Sequence, residues 1–380
     1  AGVQRLRCAR CGAARNPGGL ITVCDCGGPY QAEYDLESLR GRLTLEQLGK
    51  RPGTLWRYRE LLPDLEPVEL GEGWTPTLAV PRLAASVGIS GLWIKDESQN
   101  PTGSFKARGS AVAVSAARAA GATALAIASA GNAAAAMSAY AARAGLEAHC
   151  FAPETTPEFI LEEIRAYGGK LYKVPGPLDE AGNRVRREAA KNGWFDLSTF
   201  KEPYRLEGKK TMGFELLEQL DGKLPDWILY PTGGGMGVMG LWKAFREMEE
   251  IGWKTDRVRP RMVAVQPSGC APLATAFLSG AERAKPWGMP DTVAVGLRVP
   301  VCGISDLLLA ILRDSGGEAV IVDDDALRKG AREIAEKEGI CASPEGGATL
   351  AALRHLRRQG RVKETDRVVL FNTGWGGKYS

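Results

Sequence analysis

From about residue 90 onward the chain alternates short apolar runs with longer stretches whose apolar positions recur at helical spacing. That alternation predicts parallel sheets built from strand–helix units with right-handed crossovers. Strands are expected at LWIK (92–95), at the apolar start of ALAIASAGN (124–132), at AHCFAP (148–153), KLYKV (170–174), DWILYP (226–231) and RVVLF (367–371). Helices are expected at AAAAMSAYAARAG (133–145) and VMGLWKAFREME (238–249). The small residues of the first permit close packing rather than disorder. Residues 107–197 make four strand–helix units, and residues 36–70, rich in Leu, Arg, Glu and Pro, read as a connecting helix and loop.

Chemistry collects where the predicted strands break. After LWIK comes NPTGSFKARG (100–109), in which Pro101 and Gly103 set a turn and Thr102 or Ser104 can cap the helix that follows. Lys106 thus follows the carboxyl end of a strand, where open α/β proteins gather ligands and reactive groups. A partly desolvated lysine loses its proton readily and can form a Schiff base with an aldehyde. The run Gly233, Gly234, Gly235, Met236, Gly237 lets backbone N–H groups converge on an anion at a helix N-terminus. It lacks both the usual dinucleotide spacing and the GK[ST] of a nucleotide P-loop. Asn132 can hydrogen-bond a phenolic oxygen, and Thr373 can offer a hydroxyl to a ring nitrogen. Each also has a local explanation: a surface lysine, a plain turn, a helix cap and a strand end. The four together fit a phosphorylated, aromatic, aldehyde-bearing cofactor.

The succession NPTGSFKARG, SAGNAAAA, PTGGGMG and FNTG resembles the fold-type II pyridoxal-phosphate enzymes, and most closely the threonine synthase family. GEGWTPT (71–77), PYRLEGKKTMGFE (203–215), VAVQPSGCAP (263–272) and SPEGGATLAAL (343–353) are similar to that family too, so the resemblance covers nearly the whole chain. It implies an α/β architecture of two open twisted parallel-sheet domains with pyridoxal 5'-phosphate in the cleft. The expected boundaries are a zinc-ribbon-like segment at 1–45, a large cofactor domain at 46–106 and 198–380, and a small mobile domain at 107–197, with Lys106 at the hinge.

Carried over by position, the resemblance makes Lys106 the cofactor-bound lysine and proton shuttle and Asn132 the ligand of the pyridoxal 3-oxygen. Gly233, Gly234, Gly235, Met236 and Gly237 become the phosphate cradle, and Thr373 the partner of the pyridine nitrogen. A neutral hydroxyl there weakens the electron sink relative to a carboxylate, which favours elimination and replacement over transamination. The family's substrate, O-phospho-L-homoserine, loses phosphate by γ-elimination and gains water at the β-carbon to give threonine. Arg205 would bind the substrate phosphate with its planar fork. Lys209 and Lys210 either add field or form a solvated helix face. Ser129, Ala130, Gly131 and Ala133, flanking Asn132, would take the substrate carboxylate through backbone N–H groups.

Many threonine synthases have threonine at the position of Ala133, aspartate at that of Ala107, asparagine at that of Gly234 and smaller groups at those of Trp375 and Gly377. The indole of Trp375 either reshapes the substrate pocket or stacks on the protein outside it. The alternatives are a serine or threonine deaminase, an O-phosphoserine-dependent β-replacement synthase, or a catalytically silent ligand-sensing relative.

Composition narrows the class further. The 380 residues carry 49 basic and 45 acidic side chains, a formal net charge of +4. There is no dense Lys/Arg run, which argues against a nucleic-acid partner. No apolar stretch approaches the roughly 20 residues that cross a bilayer, and AGVQRLRCARC lacks the apolar core of a secretory signal. The expectation is a soluble, cytoplasmic enzyme, homodimeric as fold-type II enzymes commonly are. Cys8, Cys11, Cys24 and Cys26 form a CxxC followed by CxC, each trailed by glycine, which suits tetrahedral zinc. Related threonine synthases often carry such a ribbon. Cys150, Cys270, Cys302 and Cys341 read as ordinary buried thiols. With only two histidines, His149 and His355, a histidine-rich metal site or a Ser/His/Asp triad is nearly excluded.

Overall fold

A computed structural model describes residues 2–253 and 259–379. Its strands run, in chain order, β1 Arg5–Cys8, β2 Ala14–Arg15, β3 Tyr30–Glu33, β4 Thr77–Ala79, β5 Gly91–Asp96, β6 Ala124–Ala128, β7 Glu147–Pro153, β8 Lys170–Val174, β9 Phe195–Asp196, β10 Trp227–Pro231, β11 Arg261–Pro267, β12 Glu318–Val322 and β13 Arg367–Asn372. Four helices bear on function: α1 Lys106–Ala119, α2 Asn132–Ala144, α3 Tyr204–Gln219 and α4 Met236–Ile251. The chain divides into two compact units. One holds Ala1–Trp74, Asn100–Met212 and Glu250–Trp253, the other Thr75–Gln99, Gly213–Glu249 and Lys254–Ser380. No described helix is long and apolar enough to cross a membrane.

The first unit contains a small antiparallel sheet, ordered β2-β1-β3, and a parallel sheet ordered β8-β7-β6-β9. Helices α1 and α2 pack on each other. Their contact is rich in fully buried alanines, among them Ala107, Ala111, Ala134, Ala135 and Ala136. Side chains that end at Cβ let the two helical backbones approach closely while still removing apolar surface from water. The segment expected as one connecting helix and loop is instead two short helices, Leu36–Leu39 and Leu45–Gly49, followed by the 3-10 turns of Leu55–Leu61. A Thr44/Gln47 capping box starts the second helix, and Pro52 stands shortly beyond its end, a residue that cannot continue a helix.

In the second unit six strands are ordered β12-β11-β10-β13-β5-β4, parallel except for the β4–β5 edge pair. Strand β10, WILYP, is buried along its whole length, the pattern of a strand covered on both faces. Among the polar side chains buried in this sheet is Lys95 on β5. Its Nζ lies 2.7 Å from Glu215 Oε2 and donates to the Thr75 carbonyl at 2.6 Å and to Gln219 Oε1 at 2.9 Å. Both charged side chains are fully withdrawn from water, so the pair persists only because each charge finds its opposite and further hydrogen bonds.

Removing one member of that pair strands the other. Lys95→Met should lower unfolding stability by about 3–5 kcal/mol, and Lys95→Met/Glu215→Leu should recover most of the loss. Urea unfolding of the three proteins checks this, and a single variant as stable as the parent contradicts it.

Candidate active site

Lys106 is the first residue of α1 and is half buried. The turn before it, Pro101–Gly103, contains Thr102 at φ 61°, a left-handed conformation unusual for a side-chain-bearing residue. Neither Thr102 nor Ser104 caps α1, contrary to expectation. The N-cap position falls on Phe105, which has no capping side chain, and Ser104 Oγ accepts from Lys106 N only at 3.4 Å. The reason is local: the Pro101–Gly103 turn precedes Ser104 directly, and the helix begins one position later than a Ser104 cap requires. Upstream, the segment is tied by Asn100 Oδ1, which accepts from Gly73 N at 3.0 Å.

Helix α2 packs against both α1 and the Pro101–Gly103 turn. Asn132, its first residue, is therefore carried close to the segment bearing Lys106. It is not the cap of its own helix, since Gly131 occupies that position. The turn at Ser129–Gly131 is held by Gly131 N donating to Ser129 Oγ at 3.1 Å and by Ser129 N donating to Phe151 O at 3.0 Å. A Cβ on Gly131 would meet only Ile160, at 4.0 Å, so the loop has open space on that side. Ala130 is half buried and Ala133 buried.

Helix α3 changes the picture most. Arg205, Lys209 and Lys210 are all withdrawn from water, so the solvated-face alternative for the two lysines is wrong. Lys210 Nζ sits 2.6 Å from Glu207 Oε2 and 4.0 Å from the centroid of the Tyr34 ring, and Tyr34 donates to Glu207 at 2.8 Å. That trio is internally matched and structural. Lys209 points elsewhere. Its Nζ lies 5.1 Å from the centroid of the Phe105 ring, the ring that Lys106 Nζ approaches to 4.6 Å. Burial, then Arg205 and Lys106, hold the Lys209 amine well below the usual lysine range, against the opposing pull of Glu202. Burial also lowers Arg205, while Glu202 and Asp196 oppose it. Arg205 donates from Nη1 to Leu197 O at 2.6 Å, and its backbone N–H donates to Glu202 Oε1 at 2.9 Å.

The closeness of α1 and α3 has a steric cause. A Cβ on Gly208 would lie 1.9 Å from Arg108 O, and one on Gly109 would lie 2.9 Å from Arg205 O and 3.2 Å from Lys209 Nζ. Only glycine at both positions allows this approach. The i, i+4 spacing of Arg205 and Lys209 was visible in PYRLEGKK and puts them on one helix face. Their burial was not visible.

Within the second unit, β10 and β13 are hydrogen-bonded parallel neighbours, so the glycine loop and Thr373 leave the same edge of the sheet, at the carboxyl ends of its strands. The loop is shaped by what side chains would strike. A Cβ on Gly235, at φ 83°, would come within 2.1 Å of Leu308 Cδ1, one on Gly237 within 2.2 Å of Tyr230 Oη, and one on Gly233 within 2.9 Å of Gly296 O. Gly234 is half buried, and Met236 begins the 16-residue α4. A loop packed this tightly, opening a helix, offers main-chain N–H groups and helix-dipole charge to an anion. Thr373 is buried. Its neighbour Asn372 donates to Asp96 Oδ1 at 2.8 Å and accepts from Ser343 N at 3.1 Å, fixing the backbone there. Trp375 is 48% exposed. Its indole lies over Gly377, where a Cβ would come within 2.4 Å of the ring.

At the N-terminus the sulfurs of Cys8, Cys11, Cys24 and Cys26 all lie within 4.8 Å of one another. Gly28 clears the space they need, since a Cβ there would sit 2.6 Å from Cys8 Sγ. Cys150, Cys270 and Cys302 are buried as expected, whereas Cys341 is exposed.

A parallel sheet with a glycine-lined anion loop, and a half-buried lysine opening a helix, define a pyridoxal-phosphate enzyme. The family model described as "Pyridoxal-phosphate dependent enzyme" matches residues 68–374. The threonine synthase of Methanocaldococcus jannaschii is 34% identical over 98% of this chain and 92% of its own length, and that of Methanosarcina acetivorans 36% over 98% and 91%. The chain belongs to the threonine synthase family of pyridoxal-phosphate dependent enzymes. Among solved structures, maize serine racemase superposes with a TM-score of 0.69 at 25% identity, covering 80% of this chain and 88% of that one. A T.th. threonine deaminase gives 0.66 at 26% identity, covering 79% and 92%.

The glycine loop generates a direct test. Gly237→Ala forces a methyl against Tyr230, a clash of about 1–3 kcal/mol, and should weaken pyridoxal 5'-phosphate binding roughly tenfold while far-UV circular dichroism is retained. Cofactor titration by absorbance measures it; unchanged affinity contradicts the cradle.

Proposed function

We propose that the protein is a threonine synthase that converts O-phospho-L-homoserine and water to L-threonine and phosphate with pyridoxal 5'-phosphate. The observation that carries the proposal is the likeness to curated threonine synthases along almost the entire chain, supported by the buried Arg205 on the helix that also approaches Lys106 through Lys209 and Phe105.

When bound, the cofactor supplies an aldehyde carbon and an electron-withdrawing ring that stabilise negative charge at the substrate carbons. The protein's own groups would then have separate tasks. Main-chain N–H groups of Gly233 to Gly237 would bind the cofactor phosphate, the amide of Asn132 the phenolic oxygen, and the hydroxyl of Thr373 would serve the ring nitrogen without adding charge. Ser129, Ala130, Gly131 and Ala133 would present backbone N–H groups to the substrate carboxylate. Arg205 would bind the substrate phosphate. Lys106 would hold the cofactor, and its Nζ would take and return protons.

The second reading, a serine or threonine deaminase, is favoured by the structural likeness to a threonine deaminase. Product analysis separates the two. With O-phospho-L-homoserine the enzyme should release threonine and phosphate in equal amounts; a higher kcat/KM for serine or threonine, with ammonia and a 2-oxo acid as products, selects the deaminase. Borohydride treatment of the cofactor-loaded protein should label Lys106, and Lys106→Ala should show neither label nor turnover. The first unit's four clustered thiols are proposed to hold a structural zinc ion. Metal analysis should find about one zinc per chain, lost in Cys8→Ser/Cys24→Ser together with stability rather than with the cofactor.

A further inference from the structure

The loop that carries Cys24 and Cys26 runs directly into β3, and β3 ends one residue before Tyr34. Its course is closely fixed. Cys8 on β1 is paired with Tyr30 at the start of β3, and Arg5 with Glu33 at its end. Cys24 N donates to Gly28 O at 3.0 Å, and Arg7 Nε donates to Glu33 Oε1 at 2.5 Å. Ala32 and Tyr34 are both buried, as the two-residue period of a strand places them.

Tyr34 meets α3. Its hydroxyl donates to Glu207 Oε2 at 2.8 Å, and Lys210 Nζ lies 2.6 Å from the same oxygen and 4.0 Å from the centroid of the Tyr34 ring. With about 3.6 residues per turn, Glu207 and Lys210 project from the side of α3 opposite Arg205 and Lys209. Tyr34 therefore bears on the back of the helix whose front carries Arg205. On the flank, Gly208 is packed on Arg108 O, where a Cβ would come within 1.9 Å, and Arg108 Nη1 donates to Thr211 Oγ1 at 3.0 Å. A buried ion pair keeps its place only while its cover and its hydrogen bonds are intact. Withdrawing Tyr34 removes a hydrogen bond from Glu207 and brings water to the pair, so the first turns of α3 open more often.

We infer that Tyr34 is a positioning residue through which the ordered thiol ribbon holds α3, and with it Arg205, in place for the phosphorylated substrate. The inference rests on the reading that Arg205 binds the substrate phosphate. When the four sulfurs are gathered, the loop from which β3 departs is fixed, β3 keeps its register on β1, and Tyr34 stays on Glu207 and Lys210. When they are dispersed, β3 loosens and the back of α3 loses its cover. The glycine loop belongs to the second unit, so the coupling acts on substrate binding and leaves the cofactor in place.

The test uses the full chain loaded with cofactor. Amide hydrogen exchange read by mass spectrometry follows residues 204–212, and steady-state kinetics with O-phospho-L-homoserine follow the consequence. Tyr34→Leu should exchange these amides about tenfold faster than the wild type, while the amides of β10 stay as slow as before, which separates release of α3 from a general loss of stability. KM should rise severalfold with a smaller change in kcat and unchanged cofactor absorbance. Tyr34→Phe keeps the ring beside Lys210 and lacks only the hydroxyl, so it should fall between the wild type and Tyr34→Leu. Cys8→Ser/Cys24→Ser should accelerate the same amides, and adding Tyr34→Leu to it should change them no further, because both act along one path. If Tyr34→Leu fails to fold, Tyr34→Phe takes its place in that comparison. Additive effects, or wild-type exchange at 204–212 in either the tyrosine or the cysteine variants, overturn the inference. Faster exchange with an unchanged KM, in an enzyme that makes threonine from O-phospho-L-homoserine, overturns it alone. An enzyme that turns over only unphosphorylated hydroxy amino acids overturns it together with the threonine synthase reading.

Discussion

Withdrawing charge from water is the constraint on which this structure depends, and α3 concentrates it, with Arg205, Glu207, Lys209, Lys210 and Glu215 all buried along one helix. An isolated buried ion is so unfavourable that each such side chain must be matched by a partner, a shift in protonation, or a ligand. Glu207 with Lys210 and Tyr34, and Glu215 with Lys95, take the first route. Burial, Arg205 and Lys106 lower the Lys209 amine, against the pull of Glu202.

The glycine loop and α3 are shaped by different means. The loop is fixed by sterics, because Leu308, Tyr230 and Gly296 leave no room for side chains at three of its positions, and what remains there is main chain at the start of a helix. Arg205 and Lys209 are side chains withdrawn from water, one of permanent charge and one that titrates.

Much of this was legible in the linear pattern. The apolar runs at 92–95, 124–128, 148–153, 170–174, 226–231 and 367–371 all coincide with strands, the fifth beginning one residue early, because strands covered on both faces read as continuous apolar segments. The order of strand, small-residue turn and helix placed Lys106, Asn132 and the glycine loop at helix starts, where the structure has them. Information that depends on distant partners was not legible. Lys210 looks like half of a solvated lysine pair until Tyr34, some 170 positions upstream of Glu207, closes over it. The missing cap on α1 has the opposite origin, a purely local one: Thr102 and Ser104 are good capping residues in general, yet the Pro101–Gly103 turn places Phe105 at the junction.

The glycine seam between α1 and α3 joins main chain to main chain, with Gly208 against Arg108 and Gly109 against Arg205. Side chains can rotate to absorb a change; covalently rigid peptide planes in contact cannot. Lys106 is consequently registered against α3 by the polypeptide itself, whatever side chain occupies position 209. An exchange at 209 can therefore alter the charge beside Lys106 without displacing the backbone that carries it. Polarity and register in this part of the first unit are thereby set at separate positions.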